Sequence, residues 1–335
     1  MLSVLLAFAL VQAAARPEDP ALSAALRRAA ADAPGTAGIS VVHIESGRGA
    51  SLNQGVRFPM MSVYKLPIVV HALRLSERDR LDLSERVILL PQDRRPGASA
   101  MGQKIAESGP LTVSIREIVS AIVTTSDNTA SDWLLRRIGG PEAVAGMLRS
   151  LNLPEIDVSR YELEFAADYY GLCCVADMRP FSLEKFAAAV EAVPAAVRAR
   201  AAKAYESDPR DSATPAGFTT LLVRLHRREL LNEASTTWLL DLMRQMHARD
   251  ARIRAGLPAG TPAALRPGTS GLTGGVRAAH NDSAIVTLPG GRGHLAIAVF
   301  LKGAGGTEAA RDAAIARIAR AAYNWAIAAV PTAGK

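Results

Sequence analysis

The chain reads as an α/β protein of the α+β kind: an antiparallel sheet built from both chain ends, flanked by helices, with a mostly helical inserted subdomain. Three observations predict this. Runs rich in β-branched and apolar residues at 38–44, 284–288 and 295–301 have strand character and lie near the two termini. Helical spacing dominates the residues between them. Pro289-Gly290-Gly291 separates the last two strands as a turn.

Taken in order, a helical pattern over 21–31 precedes the strand at 38–44. Glu45, Ser46, Gly47 and Arg48 supply turn residues, so 50–53 can return as a hairpin partner. After Phe58-Pro59-Met60-Met61, Ser62 starts a helix whose apolar residues Leu66, Val69, Val70 and Leu73 fall at helical spacing. Further helices are predicted at 115–124, 128–138, 141–151, 183–190, 218–227 and 235–246, and a closing helix at 308–328. The expected division is a leader at 1–15, an α/β part from 16–57 and 256–335, and a helical part at 58–255. A cleft between the two parts is the natural site.

Composition narrows the function classes. With 335 residues and 49% hydrophobic content the chain can bury a large core. Residues 1–15 carry no charge, run apolar from Leu2 to Val11, and close on Ala13-Ala14-Ala15. That pattern predicts a cleaved secretory signal and a periplasmic or secreted protein. No later stretch reaches the roughly 18 uninterrupted apolar residues of a spanning helix, so no stable membrane insertion is expected after cleavage. The two cysteines, Cys173 and Cys174, are adjacent and cannot staple distant segments, which excludes a disulfide framework. Two small buried thiols are the preferred reading of this pair. The histidines show no ligand spacing such as H-E-x-x-H, so neither a metal nor a cofactor is predicted. The net charge of +7 is dispersed arginine, not a basic tract with interleaved aromatics, which argues against nucleic acid. Nothing in the sequence demands a partner, and a monomer is expected.

Two motifs carry chemistry. Ser62 and Lys65 are three apart and share a helix face, where a lysine shielded from water beside another cation can act as a base. Alone this motif is weak, since Ser-x-x-Lys arises about once by chance in a chain this long. Ser126-Asp127-Asn128 is more specific and lies between two helical segments. Ser126 can pass a proton to a leaving nitrogen, Asn128 can hold a substrate amide, and Asp127 fixes the turn through local hydrogen bonds. Glu162, 36 residues on (162 − 126), offers a carboxylate base.

With these motifs the chain resembles the class A β-lactamases, within the superfamily of penicillin-recognising serine hydrolases. Arg160-Tyr161-Glu162-Leu163-Glu164-Phe165-Ala166 is similar to that family's Arg-x-Glu-x-x-Leu-Asn loop. Arg266-Pro267-Gly268-Thr269-Ser270-Gly271, followed by Asn281-Asp282, resembles its Lys-Thr-Gly-Thr-Ser-Gly strand, and the similarity spans roughly 36–328. The resemblance implies that Ser62 is acylated by a β-lactam carbonyl with help from Lys65 and Ser126, and that Glu162 activates the deacylating water. It implies an oxyanion hole from the N–H groups of Ser62 and Thr269. It also implies that Asn128, Gly268, Thr269 and Ser270 contact substrate. Arg266 would stand in for the usual lysine near the substrate carboxylate, with Arg252 a weaker candidate for that task.

Three departures from the family pattern stand out. Ala166 replaces an asparagine that shares the catalytic water. Pro267 replaces a hydroxyl residue and removes a backbone N–H, tolerable on an edge strand or where that group faces away from the sheet. Residues of about 168–211 look like an insertion, either a lid over the cleft or an extra helical hairpin. Glu164 is expected to point away in an extended loop and to serve an ion pair. The leading reading is a β-lactamase. The alternatives are a D-alanyl-D-alanine peptidase or esterase, and a non-hydrolysing β-lactam or cell-wall binding protein.

Overall fold

A computed structural model describes residues 18–172, 180–246 and 251–332. The predicted leader at 1–15 and the Cys173-Cys174 pair lie outside the described residues. The chain opens with α1 (Pro20–Ala30), β1 (Thr36–His43), β2 (Gly49–Leu52) and β3 (Phe58–Pro59), then a 3-10 turn at Met61–Tyr64. α2 (Lys65–Ser76), β4 (Arg86–Leu89), α3 (Ala100–Ser108), β5 (Leu111–Ser114), α4 (Ile115–Thr124), α5 (Asn128–Arg137), α6 (Gly140–Ser150) and α7 (Glu162–Tyr170) follow. Next come α8 (Leu183–Ala192), α9 (Ala195–Tyr205), β6 (Ser212–Ala213), α10 (Pro215–His226), α11 (Glu233–Arg244) and α12 (Arg252–Gly256). The chain closes with β7 (Ala263–Leu265), β8 (Gly268–Thr269), β9 (Leu272–Thr273), β10 (Val276–Thr287), β11 (His294–Ala304) and α13 (Glu308–Ala329).

Both chain ends build one sheet, in the order β2-β1-β11-β10-β7, with β8 and β9 also paired to β10. β1 and β11 run antiparallel, from Thr36 opposite Lys302 to His43 opposite Leu295. Successive side chains of a strand point to opposite faces, and β11 follows this rule closely. Ile297, Val299 and Leu301 join Leu22, Leu26, Ile315 and Ile318 of α1 and α13 in one core. Ala296, Ala298 and Phe300 join the other core with Phe58 and Phe218, whose rings lie 6.2 and 5.7 Å from that of Phe300. Because both faces are covered, β11 reads as a nearly continuous apolar run.

Local chemistry sets the helix starts around the site. Ser114 caps α4 reciprocally: it accepts from the Glu117 N–H, and Glu117 accepts from the Ser114 N–H at 2.7 Å. Asp127 caps α5 through the Ala130 N–H and also accepts from Met101 N–H and the Ser99 hydroxyl, tying α3 to the same turn.

Several elements differ from the sequence reading. The β4–β5 hairpin and α3 have no counterpart in it. Residues 162–170 form helix α7, not an extended loop, and Glu164 caps it by accepting from the Tyr161 N–H at 2.9 Å, with no ion pair found for it among the described residues. Glu162 and Ala166 are therefore one turn apart on the same helix face.

The inserted segment braces α7. Tyr205 of α9 is buried and meets Tyr169 edge to face at 5.7 Å. The Arg160 guanidinium lies 5.3 Å from the Tyr205 ring centroid and pairs with Asp168, Asp208 and Asp211 at 2.6, 3.1 and 2.6 Å. Upstream of α8, Phe181 lies under the Arg95 guanidinium at 5.1 Å, while Glu184 pairs with Arg94 at 2.9 Å. No described helix is long and apolar enough to cross a membrane.

Candidate active site

Ser62 sits in the 3-10 turn that leads into α2, directly after Met61, which holds a left-handed φ of 48°. Lys65, the first residue of α2, is fully buried. Its ammonium is the hub of the site. It lies 2.9 Å from Glu162 Oε1, donates to Ser126 O at 2.8 Å, and lies 3.4 Å from both Ser62 Oγ and Ser126 Oγ. It also donates to Asn128 Oδ1 in a short contact. The 3.4 Å separations are long for strong hydrogen bonds, and unliganded catalytic contacts commonly tighten on substrate binding.

Burial dominates the titration of this group of side chains. It lowers the Lys65 pKa; Glu162 opposes that effect and Arg266 adds to it. It raises the Glu162 carboxyl, against the pull of Lys65. An ordinary lysine is protonated and an ordinary glutamate ionised at neutral pH, so the two shifts bring the pair's proton affinities closer together.

Ser126 has a φ of 59°, a left-handed conformation that costs a non-glycine residue of order 1 kcal/mol. The Asp127 cap holds it there, aiming both the hydroxyl and the carbonyl at Lys65. Asn128 opens α5 and donates through Nδ2 to Pro96 O. The Asn128 amide is thus fixed between the 94–98 loop and Lys65.

On the opposite wall, β8 comes close to the nucleophile because residue 268 is glycine. A Cβ there would lie 2.4 Å from Met60 O and 3.0 Å from Val63 N. Asn281 of β10 locks the approach by donating to Pro59 O at 2.7 Å. Thr269 and Gly268 line a cleft of about 450 Å³ together with Ser62, Ser126, Pro267 and Arg252. β8 is an edge segment paired only with β10, so the missing N–H of Pro267 removes no ladder bond.

Of the two arginines, Arg252 and not Arg266 lines the cleft. Arg266 is almost completely buried and donates to Ser62 O at 2.8 and 2.6 Å, to Ile122 O at 2.8 Å and to Ser126 Oγ at 3.0 Å. Burial lowers its pKa to about 10. It touches the cleft-lining residues Ser62 and Ser126. Arg252 lines the cleft and is held by Thr269 Oγ1 at 2.7 Å, Asn281 O at 2.9 Å and Asp312 at 3.0 Å. Ser270 is not brought to the cleft through its side chain: its hydroxyl is buried, donates to Gly271 O and accepts from Ala279 N–H.

Sequence reasoning missed Asp132, the fully buried residue one turn after Asn128 on α5. Its Oδ1 accepts the Glu162 N–H at 2.6 Å and its Oδ2 pairs with Arg95 at 2.5 Å. The available signal was a charged residue in the stripe with Ala130, Leu134 and Leu135. His280 and Asp312, 2.7 Å apart behind Arg252, were missed as well.

A serine, a buried lysine one helical turn on, a second serine and a buried carboxylate gathered beside one cleft are a set of groups that can carry out acyl transfer. The chain matches the beta-lactamase enzyme family over residues 21–326. It is 26% identical over 290 residues to the extended-spectrum β-lactamase PER-1 of Pseudomonas aeruginosa, covering 87% of this chain and 82% of that one. It is 30% identical over 247 residues to β-lactamase L2 of Stenotrophomonas maltophilia, covering 73% and 68%. Among solved structures, a β-lactamase from Chitinophaga pinensis superposes with a TM-score of 0.75 at 26% identity, over 91% of this chain and 99% of that one. An ancestral class A β-lactamase gives 0.71 at 27% identity, over 90% and 98%. The chain belongs to the β-lactamase family and is a class A serine hydrolase.

Proposed function

We propose that the protein cleaves the β-lactam amide through a covalent acyl-enzyme on Ser62, released by water that Glu162 activates. The observation that carries this reading is the position of the Lys65 ammonium, 3.4 Å from Ser62 Oγ and 2.9 Å from Glu162. In acylation, neutral Lys65 takes the Ser62 proton as Oγ attacks the lactam carbonyl. The C–N bond then breaks, and the proton passes through Ser126 Oγ to the leaving nitrogen. The N–H groups of Ser62 and Thr269 receive the developing oxyanion.

In deacylation, Glu162 takes a proton from water, the hydroxide attacks the ester carbonyl, and Ser62 Oγ leaves and recovers a proton through Lys65. Ala166 offers no second hydrogen bond to that water, so Glu162 orients it unaided. Arg252 and Thr269 hold the substrate carboxylate, and Asn128 its side-chain amide. The protein acts as a monomer in the periplasm or outside the cell after removal of residues 1–15.

Intact-protein mass spectrometry with a penicillin tests the reading. A transient adduct in wild type, persistent in Glu162→Ala and absent in Ser62→Ala, is expected. A persistent wild-type adduct overturns the deacylation step, and no adduct overturns acylation.

A further inference from the structure

Away from the cleft, Glu45, His226 and His294 converge from the β1–β2 turn, the end of α10 and the start of β11. One ligand atom from each lies within 4.8 Å of the other two. In the β10–β11 ladder, His280 beside the cleft faces Leu301, whereas Thr287 faces His294. Seven residues of strand (301 − 294), about 23 Å, separate the two places.

The arrangement is built. Glu45 Oε2 accepts the His294 N–H at 2.8 Å and Oε1 meets His294 Nδ1 at 2.7 Å, which fixes the carboxylate. Gly293, at a φ of 85°, leaves room for it: a Cβ there would lie 2.2 Å from Glu45 Oε2. The His226 ring packs tilted against His294 with centroids 4.1 Å apart, and its Nδ1 is buried without a hydrogen-bond partner among the described residues. An orphaned buried ring nitrogen costs roughly 1–3 kcal/mol, and a bound ion is one of the few things that would satisfy it.

We propose that Glu45, His226 and His294 form a second site on this protein, for a divalent transition-metal ion of the zinc class. Two imidazole nitrogens and one carboxylate oxygen suit zinc, cobalt or copper and not magnesium or calcium, which favour oxygen. Neighbouring ligand atoms around tetrahedral zinc are about 3.4 Å apart, so side-chain rotations of the order of 1 Å close the site, and water takes the remaining position. The surrounding cations are engaged elsewhere. Arg227 donates to Ile44 O, Arg228 pairs with Glu233, Arg244 with Asp241, and Arg292 donates to Val330 O. His43 lies 3.3 Å from Glu45 Oε2 but its Nε2 is committed to Arg292 O at 2.6 Å.

Titration of tag-free mature protein with cobalt(II), read by the visible d–d absorption of the four-coordinate ion and by competition with zinc, tests the site. A single saturable equivalent is expected, bound at least tenfold more weakly by His226→Ala, His294→Ala and Glu45→Gln and unchanged in His71→Ala. Absence of a saturable signal in wild type, or a signal that survives all three changes, overturns the proposal. Glu45→Gln, an isosteric change at an exposed residue, decides the matter alone should an imidazole variant fail to fold.

Discussion

Asp132 holds the peptide N–H of Glu162 with one carboxylate oxygen and Arg95 with the other. The charge that holds this peptide is thus neutralised from the 94–98 loop, where the Arg95 guanidinium lies over the ring of Phe181. Removing Arg95 leaves a buried carboxylate unpaired, which costs about 3–5 kcal/mol. Asp132→Asn retains an acceptor for the Glu162 N–H while deleting the charge. Urea denaturation is therefore expected to find Arg95→Met strongly destabilised and the Arg95→Met, Asp132→Asn double variant largely recovered.

Asp132 also contributes to the raised pKa of Glu162, after burial. Glu162 accepts a proton from water only when ionised, so deacylation falls on the acid side at a pH above the ordinary glutamate range. In Asp132→Asn this acid limb is expected to move to lower pH. Stopped-flow deacylation rates across a pH series check it, and an unmoved limb contradicts it.

Arg252 is expected to govern recognition of the substrate carboxylate. Hydrogen bonds to charged groups contribute about 1.5–3 kcal/mol, so Arg252→Ala should lower kcat/KM roughly tenfold to a hundredfold, mainly through KM. Steady-state kinetics with a carboxylate substrate and its methyl ester separate recognition from structural damage: the ester should be nearly indifferent to the change.

The Tyr205 hydroxyl is buried without a hydrogen-bond partner among the described residues, while its ring packs on Tyr169. Tyr205→Phe is therefore expected to be neutral or slightly stabilising, and Tyr205→Ala to cost about 3–5 kcal/mol as a large-to-small core change. Thermal melts of the two variants report the difference.

Burial, then Arg252, lowers the His280 pKa to about 4. The unfolded chain binds a proton near pH 6.5 and the folded chain does not, so the protein loses stability as pH falls from about 6.5 toward about 4. Against His280→Asn, the wild-type advantage should shrink over that window by up to about 3 kcal/mol. Denaturant midpoints at several pH values measure it.

How much was legible in the sequence follows from where each signal resides. Helix α4 was expected at its observed limits because its apolar stripe is a local signal, and the Ser114–Glu117 cap that starts it is equally local. The sheet from both termini was visible because β1, β10 and β11 are buried apolar strands. Helix α7 was not, because a tyrosine, Tyr161, stands at its N-cap in place of the usual Ser, Thr, Asp or Asn, and Asp132, thirty residues earlier (162 − 132), takes the Glu162 N–H. The roles of Arg266 and Arg252 were hidden for the same reason. Spacing placed both near the cleft, but only the contacts with Ser62 O and Thr269 tell which one faces it. The Glu45, His226, His294 cluster joins residues with no common spacing, so no sequence pattern could reveal it.

The pairing of β1 with β11 also controls when the protein acquires chemistry. Thr36 and Lys302 are partners 266 residues apart (302 − 36), and contacts so distant form late and slowly. Ser62 leaves the ribosome long before Thr269 and Arg266, which complete its surroundings. Until then Ser62 lacks Thr269 and Arg266 beside it, so its surroundings are complete only once the last strands have joined the sheet.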